Sequence, residues 1–176
     1  MDVQIAEHDF ESLKSLCPSV PSLQQVVERF GNKMHLMIEV KHEFYPNPEH
    51  QNTILEAIFS NLIPGQDYHL ISLDPEMLEL IECVPDHAKM PVAELNVGKL
   101  SEIALEKNYA GVLGHYFLLN GRLVQKHLEA GQKVGTGYPY SRNCMSRELN
   151  RGVNWLFSND AGGLEQIRKA MLAEDG

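Results

Sequence analysis

Cysteine and aromatic side chains are scarce in this 176-residue chain, at three residues and 7%, and no long apolar run crosses it. Each shortage excludes a class of protein. Cys17, Cys83 and Cys144 stand far apart and form no C-x-x-C pair, so neither a zinc site nor a disulfide framework is indicated, and a reducing compartment fits. No window reaches the roughly 20 apolar residues of a transmembrane helix, and Met1-Asp2-Val3-Gln4 lacks a basic region followed by an apolar one. With Met1 as the natural start, the chain reads as cytoplasmic. Positive charge is also short: 15 Lys and Arg against 24 Asp and Glu leave a formal charge of -9. That sign opposes general binding to nucleic acid or anionic lipid, although a local basic patch stays compatible with it. The Gly-x-Gly-x-x-Gly turn of a dinucleotide fold is absent. Gly135-Thr136-Gly137 is a fragment of it, and Pro139 follows where the phosphate-cradling helix would begin.

Forty-three per cent of the residues are hydrophobic, enough at this length for one core without staples, so a single domain over 1–176 is expected. Short apolar runs alternate with amphipathic ones. Residues 35–41, 68–73, 90–95, 111–116, 133–136 and 153–158 read as buried strands, and after the first their starts recur about every 21–22 residues, the length of one strand–helix unit. The helices between them carry their own signals. Asp74-Pro75-Glu76 supplies an N-cap, a first-turn proline and an acid, while Gly131 and Gly152 mark helix ends. Asp9 caps a short helix to Leu16, Ser141 caps another, and a longer helix should close with Phe59, Leu62 and Ile63 before Pro64. This α/β alternation implies either an open doubly wound sheet or a (β/α) barrel.

In both folds ligands bind at the carboxyl ends of the strands, which makes Glu39 and Lys41 the prime candidates. A period of two puts them on one side of their strand, opposite Ile38 and Val40. Such a glutamate can hold a hard cation such as Mg²⁺ or Ca²⁺, and the lysine can neutralise a phosphate oxygen; an ordinary Glu–Lys ion pair explains the spacing equally well. Other strand ends offer Asp74, Glu94, Asn96, His115, Tyr138, Tyr140, Ser141, Asn159 and Asp160. Asp74 fits an N-cap better than an acid catalyst, and His115 is either a general base or a hydrogen-bonded loop histidine. His42 and His50 flank a Pro-rich loop where exposure is the default. A helix N-terminus at Ser141-Arg142-Asn143 is a cap, or a phosphate site.

These residues resemble a known family. Pro21-Ser22-Leu23-Gln24-Gln25-Val26-Val27 followed by Met37-Ile38-Glu39-Val40-Lys41 is similar to the "P-T-L-E-E-V … N-I-E-I-K" passage of glycerophosphodiester phosphodiesterases. Ser72-Leu73-Asp74 resembles their S-F-D. Leu123-Val124-Gln125-Lys126-His127 through Ala130-Gly131-Gln132-Lys133-Val134 resembles "L-V-x-x-A-H-x-x-G-x-x-V", and Gly152 to Asp160 resembles "G-V-D-G-I-I-T-D". The matches run in order along nearly the whole chain.

The resemblance implies a TIM-type (β/α) barrel that uses a divalent metal and two histidines to hydrolyse glycerophosphodiesters, in lipid metabolism, to glycerol 3-phosphate and an alcohol. Carried across by residue, Glu39 matches a metal ligand and Lys41 a phosphate contact. The family's H-R-G, E-N-T, E-x-D and later H-D motifs have no counterpart here, so the chain should hold about six units and lack the first two strands. His8-Asp9 fits a helix start better than that H-D. Gly137-Tyr138-Pro139-Tyr140 replaces the usual W-T-V-N, and Ala161 replaces a proline. His115 is then the weak remaining catalytic candidate. A six-stranded barrel leaves edges at 35–41 and 153–158, to be met by a complementing N-terminal segment, a second copy of the chain, or the helices of 1–34. The expected chemistry is weak or absent hydrolysis, with a phosphate-binding or assembly module as the alternative; a small glycerophosphodiester or glycerol phosphate is the expected ligand, and Mg²⁺ or Ca²⁺ the cofactor if the site is completed.

Overall fold

The computed structural model describes residues 5–174. Six strands, β1 (Leu36–Glu39), β2 (Tyr68–Ser72), β3 (Lys89–Ala93), β4 (Gly111–His115), β5 (Lys133–Gly137) and β6 (Trp155–Phe157), lie side by side in chain order. Every neighbouring pair is parallel. After helices α1 (Phe10–Leu16) and α2 (Leu23–Phe30), one helix follows each strand: α3 (Pro48–Phe59), α4 (Pro75–Leu80), α5 (Val97–Glu106), α6 (Gly121–Glu129), α7 (Arg142–Asn150) and α8 (Ala161–Glu174). A doubly wound sheet would reverse its strand order at a switch point; an unreversed order is that of a barrel wall. The chain therefore forms an incomplete TIM-type barrel of six βα units, a curled half-barrel.

The helices begin where short polar side chains can take up free backbone N–H groups. Asp9 accepts from the Ser12 amide at 2.8 Å, and Ser141 from the Cys144 amide at 3.3 Å. At α2 the capping is reciprocal: the Ser22 hydroxyl accepts from the Gln25 amide at 3.1 Å, and the Gln25 side chain accepts from the Ser22 amide at 3.0 Å. One boundary differs from expectation. The helix ahead of Pro64 stops at Phe59, and Leu62 turns back into the core, where it packs under Gly31 at the end of α2. A Cβ on Gly31 would lie 2.8 Å from a Leu62 methyl and 2.7 Å from the Val27 carbonyl oxygen, so a larger residue there would have to displace this contact. Against the apolar runs, β1 and β6 are three residues shorter and β2 and β4 one shorter, β3 begins one residue earlier and ends two earlier, and β5 runs one residue longer, to Gly137.

Alternate residues on each strand divide two environments. Outward-facing Tyr68, Leu70, Val112 and Val134 pack beneath the helices in two apolar clusters, one with Phe59 and Leu78, the other with Leu100 and Val124. One buried polar group in this layer, Thr136 Oγ1, has no partner, whereas the cluster around His127 is fully paired. Gln132 gives its amide hydrogens to the Ala104 and Tyr109 carbonyls and so presents its oxygen to His127 Nδ1 at 2.6 Å. His127 Nδ1 must then carry the proton, which leaves Nε2 to accept from the Ser101 hydroxyl at 2.8 Å. His127 is a structural tie between α5 and α6.

Inside the curl, side chains fill the amino end of the sheet. His35, just ahead of β1, stacks on Trp155 of β6 with ring centroids 5.7 Å apart, and His69 of β2 meets the same indole edge-on at 5.1 Å. Lys133 of β5 lies 4.9 Å from the indole centroid and donates to the Gly65 carbonyl at 3.3 Å. Higher up, Leu113 and Phe157 meet over Gly135, where an added Cβ would lie 2.5 Å and 2.8 Å from them. The first and last strands, which do not hydrogen-bond to each other, are thereby joined through rings.

The tautomers in this cluster follow from the partners. The Gln66 carbonyl can only accept, so His35 Nδ1, 2.7 Å away, carries hydrogen, and His35 Nε2 accepts from His69 Nδ1 at 2.7 Å. His69 Nε2 is left as a buried lone pair with no partner. Burial above all, with Lys133, His35 and His87 nearby, pushes the His69 pKa down from 6.5 to about 3. Below pH 6.5 the unfolded chain takes up a proton that the folded chain refuses until about pH 3, so this stability is complete above 6.5 and declines as pH falls. The urea midpoint followed by Trp155 fluorescence should fall between pH 7 and pH 5, at up to about 1.4 kcal/mol per pH unit for this one group. His69→Phe should flatten the slope; an unchanged slope in that variant would contradict the assignment.

Candidate functional site

A cavity of about 680 Å³ opens at the carboxyl ends of the strands, and all six contribute to it. Its floor is apolar, built from side chains such as Ile71, Val92, Leu113 and Phe157. Its polar groups are few: Glu39, Lys41, Glu94, His115, Ser158 and Asn159. That composition, an apolar hollow with a small set of convergent polar groups, is the usual form of a small-molecule site.

Glu39 and Lys41 reach the cavity together because Ile38 and Val40, between and beside them, are held in the outer apolar layer. Their side chains form an ion pair of 2.7 Å at the rim. Lys41 is 68% exposed, so water screens the pair and its worth is at most about 1 kcal/mol. The ammonium retains donors for an incoming anion. Lys41 is the one lysine or arginine that lines the cavity among the described residues.

Asp74 serves as the expected N-cap of α4, accepting from the Glu76 amide at 3.0 Å. Its second oxygen receives His42 Nδ1 at 2.6 Å, a pairing that the sequence did not suggest. These bonds, that from His42 first, hold the Asp74 carboxyl below its ordinary range. The pair stands outside the cavity lining, and His42 is exposed. His50 lies in the first turn of α3, and His8 in the turn ahead of α1; both are exposed and away from the cavity.

His115 closes the opposite side. Its Nδ1 accepts from the Phe117 amide at 3.2 Å, so the neutral ring carries its proton on Nε2 and offers a donor there. Tyr116 stacks on it at 4.6 Å and Tyr138 tilts over it at 5.6 Å. Tyr138 lines the cavity with its backbone at φ 67°, a conformation that costs a bulky residue roughly 1–3 kcal/mol, and its amide is held by the Phe157 carbonyl at 2.7 Å. Tyr140 is exposed on the following loop. Of the remaining candidates, Asn96 accepts from the Glu94 amide at 3.0 Å, Asn159 lines the cavity, Ser141 caps α7, and Asp160 caps α8 by accepting from the Gly163 amide at 2.9 Å.

One supporting element escaped the sequence reading. Glu148 of α7 is wholly buried between Arg147, at 2.9 Å, and Arg151, at 2.6 Å. Arg151 donates to the Leu119 carbonyl at 2.8 Å, and Arg147 lies 5.0 Å from the Tyr116 ring centroid. The buried carboxylate thus holds two arginines that pin the loop following His115. Arg147-Glu148 and the i,i+3 Arg151 were visible in the sequence, but ordinary surface pairs look the same.

A divalent cation needs several oxygen ligands. No group of three His, Cys, Asp or Glu side chains among the described residues is placed to hold one, and the Glu39 carboxylate is already engaged by Lys41. The described donor set does not fit the metal that the resemblance implies.

No family model matches the sequence, and no curated protein matches it. Solved structures do match its fold. The chain is similar to a glycerophosphodiester phosphodiesterase from Thermotoga maritima, at 15% identity and a TM-score of 0.73, covering 97% of this chain and 73% of that one. A second, from Parabacteroides distasonis, gives 16% identity and 0.69, covering 89% of this chain. The third is an Oleispira antarctica phosphodiesterase in complex with its product sn-glycerol-3-phosphate, at 19% identity and 0.64, covering 86% of this chain. The chain spans 66% and 61% of the length of the latter two, less than two thirds. The half-barrel thus shares its fold with the matched parts of these glycerophosphodiester phosphodiesterases.

Replacing Glu39 separates its two readings. In Glu39→Gln, Lys41 loses its partner and the cavity loses a negative charge, so inorganic phosphate should bind up to about fivefold more tightly in metal-free buffer. Weaker binding in that variant would show that Glu39 supports the anion through something other than Lys41.

Proposed function

We propose that the cavity at the carboxyl ends of the strands binds the phosphate of a glycerophosphodiester or glycerol phosphate, with Lys41 as its anion contact, and that the residues described here bind better than they hydrolyse. The observation that carries this reading is the position of Lys41: a cation at the mouth of a cavity formed by six strand ends. The shared fold supports it, since one neighbour of that fold holds sn-glycerol-3-phosphate. His115 Nε2 and Asn159 offer further donors on the far side.

Hydrolysis of a phosphodiester requires an activated water, charge neutralisation at phosphorus and a proton for the leaving oxygen. Lys41 supplies part of the second. His115, with its proton on Nε2, suits the third or simple hydrogen bonding. For the first, Glu39 and Glu94 are the carboxylates lining the cavity, and Glu39 is neutralised by Lys41. A barrel that retains the anion contact with an incomplete water-activating set is a binder with residual turnover at most.

Calorimetry with glycerol 3-phosphate should show saturable binding that weakens at least tenfold in Lys41→Met. With glycerophosphocholine and Mg²⁺ or Ca²⁺, turnover should stay below about 1 s⁻¹, a tenth of the ~10 s⁻¹ typical of enzymes. Turnover near ~10 s⁻¹ that Glu39→Gln abolishes would establish an enzyme instead; absence of saturable binding would remove the phosphate reading altogether.

A further inference from the structure

Of the fourteen large apolar side chains left in water among the described residues, six come from one end of the sheet. Phe44, Leu73, Leu95, Phe117, Tyr138 and Tyr140 are between 45% and 90% exposed. They come from the loops that follow β1, β2, β3, β4 and β5, so five successive strand-to-helix loops each place at least one at the carboxyl end of the sheet. Leu73, Leu95 and Tyr138 also line the cavity. Three of the six thus border the apolar-floored hollow itself, and at least one such residue on each of five successive loops forms an apolar collar at this end of the sheet, unlike the single exposed hydrophobics that any surface carries.

From this collar we infer that the site takes a phosphate ester bearing one long apolar chain, the phosphate at Lys41 and the chain laid across the floor and out past Leu95 and Phe117. The inference rests on the phosphate reading of the cavity and names its substrate class. Two quantities argue for the occupant. The cavity, at about 680 Å³, has the capacity of a drug-sized ligand, whereas glycerol phosphate has only about ten heavy atoms. Glu39, at the end of β1, and Lys41, two residues beyond, occupy the rim while Ile71, Val92, Leu113 and Phe157 form the floor, an amphipathic arrangement that matches an amphipathic molecule. The formal charge of -9 disfavours an anionic membrane surface as the occupant, which points to the monomeric ester.

Titration calorimetry with decylphosphocholine below its micellar concentration, set against glycerophosphocholine, tests the inference. The alkyl ester should bind at least tenfold more tightly, and the ratio of the two affinities should fall toward one in Leu95→Ser combined with Phe117→Ser. Both positions are largely exposed, so the variant should fold; circular dichroism checks that it does. Equal affinities in the wild-type chain would overturn the inference and leave the phosphate reading standing, whereas no binding of either compound would overturn both. Sedimentation with phosphatidylcholine vesicles without binding of the monomeric ester would make the collar a membrane contact and overturn the inference. A concentration-dependent dimer lost in the same variant, with equal affinities for the two compounds, would assign the collar to a second copy of this chain and overturn it as well.

Discussion

The contact between the rings of His35 and His69 and the indole of Trp155 is the interaction on which the geometry of this chain turns. Six parallel strands in chain order form a wall, and a wall alone does not enclose a site. The ring cluster joins the amino ends of β1 and β6 across the interior, with centroids 5.7 Å and 5.1 Å from the indole. Lys133 completes the plug. With that end filled, the interior opens toward the carboxyl ends, and the residues projecting there from each strand face a common cavity. The plug carries a weakness: His69 is buried with one nitrogen unpartnered and remains neutral because a proton would have neither water nor an anion beside it.

The opposite end is held by different means. Loops replace strand pairing there, and their side chains are fixed from behind: the β4 loop by the buried Glu148 with its two arginines, the β2 end by Asp74 between His42 and the first turn of α4. Breaking a buried pair such as Glu148–Arg151 is costly because it strands a charge, so this support is stiff where it exists. The division of labour is that of barrel proteins generally, with stability at one face and chemistry at the other.

Much of this was legible in the sequence, and the legible part explains the family resemblance. All six strands, the caps at Asp9, Asp74 and Ser141, and the stops at Gly131 and Gly152 follow from apolar periodicity and turn chemistry, which act locally. The passages that resemble glycerophosphodiester phosphodiesterases turn out to be those same devices. Ser22 and Gln25 form the capping box, His127 is tied to Ser101 and Gln132, and Asn154 accepts from the Val134 amide at 2.8 Å. They specify how the barrel is built. Among the matched residues, Glu39, Lys41, Ser158 and Asn159 bring polar groups to the cavity, and at Glu39 and Lys41 the spacing could not separate an ion pair from a ligand site. What the sequence could not reveal depends on contacts between distant strands: the His35–Trp155 plug, the His42–Asp74 pair and the apolar collar become visible only when residues 32 to 120 positions apart meet.

The central claim is that one face of a curled sheet is closed by rings and the other receives a small phosphate ester beside Lys41. An amide chemical-shift titration with glycerol 3-phosphate, in labelled protein without added metal, tests both halves at once. The account predicts saturable shifts concentrated at Glu39, Lys41, Glu94, His115 and Tyr138, with the amides around His69 and Trp155 unmoved. Shifts centred on His69 and Trp155, or scattered without saturation, would contradict it.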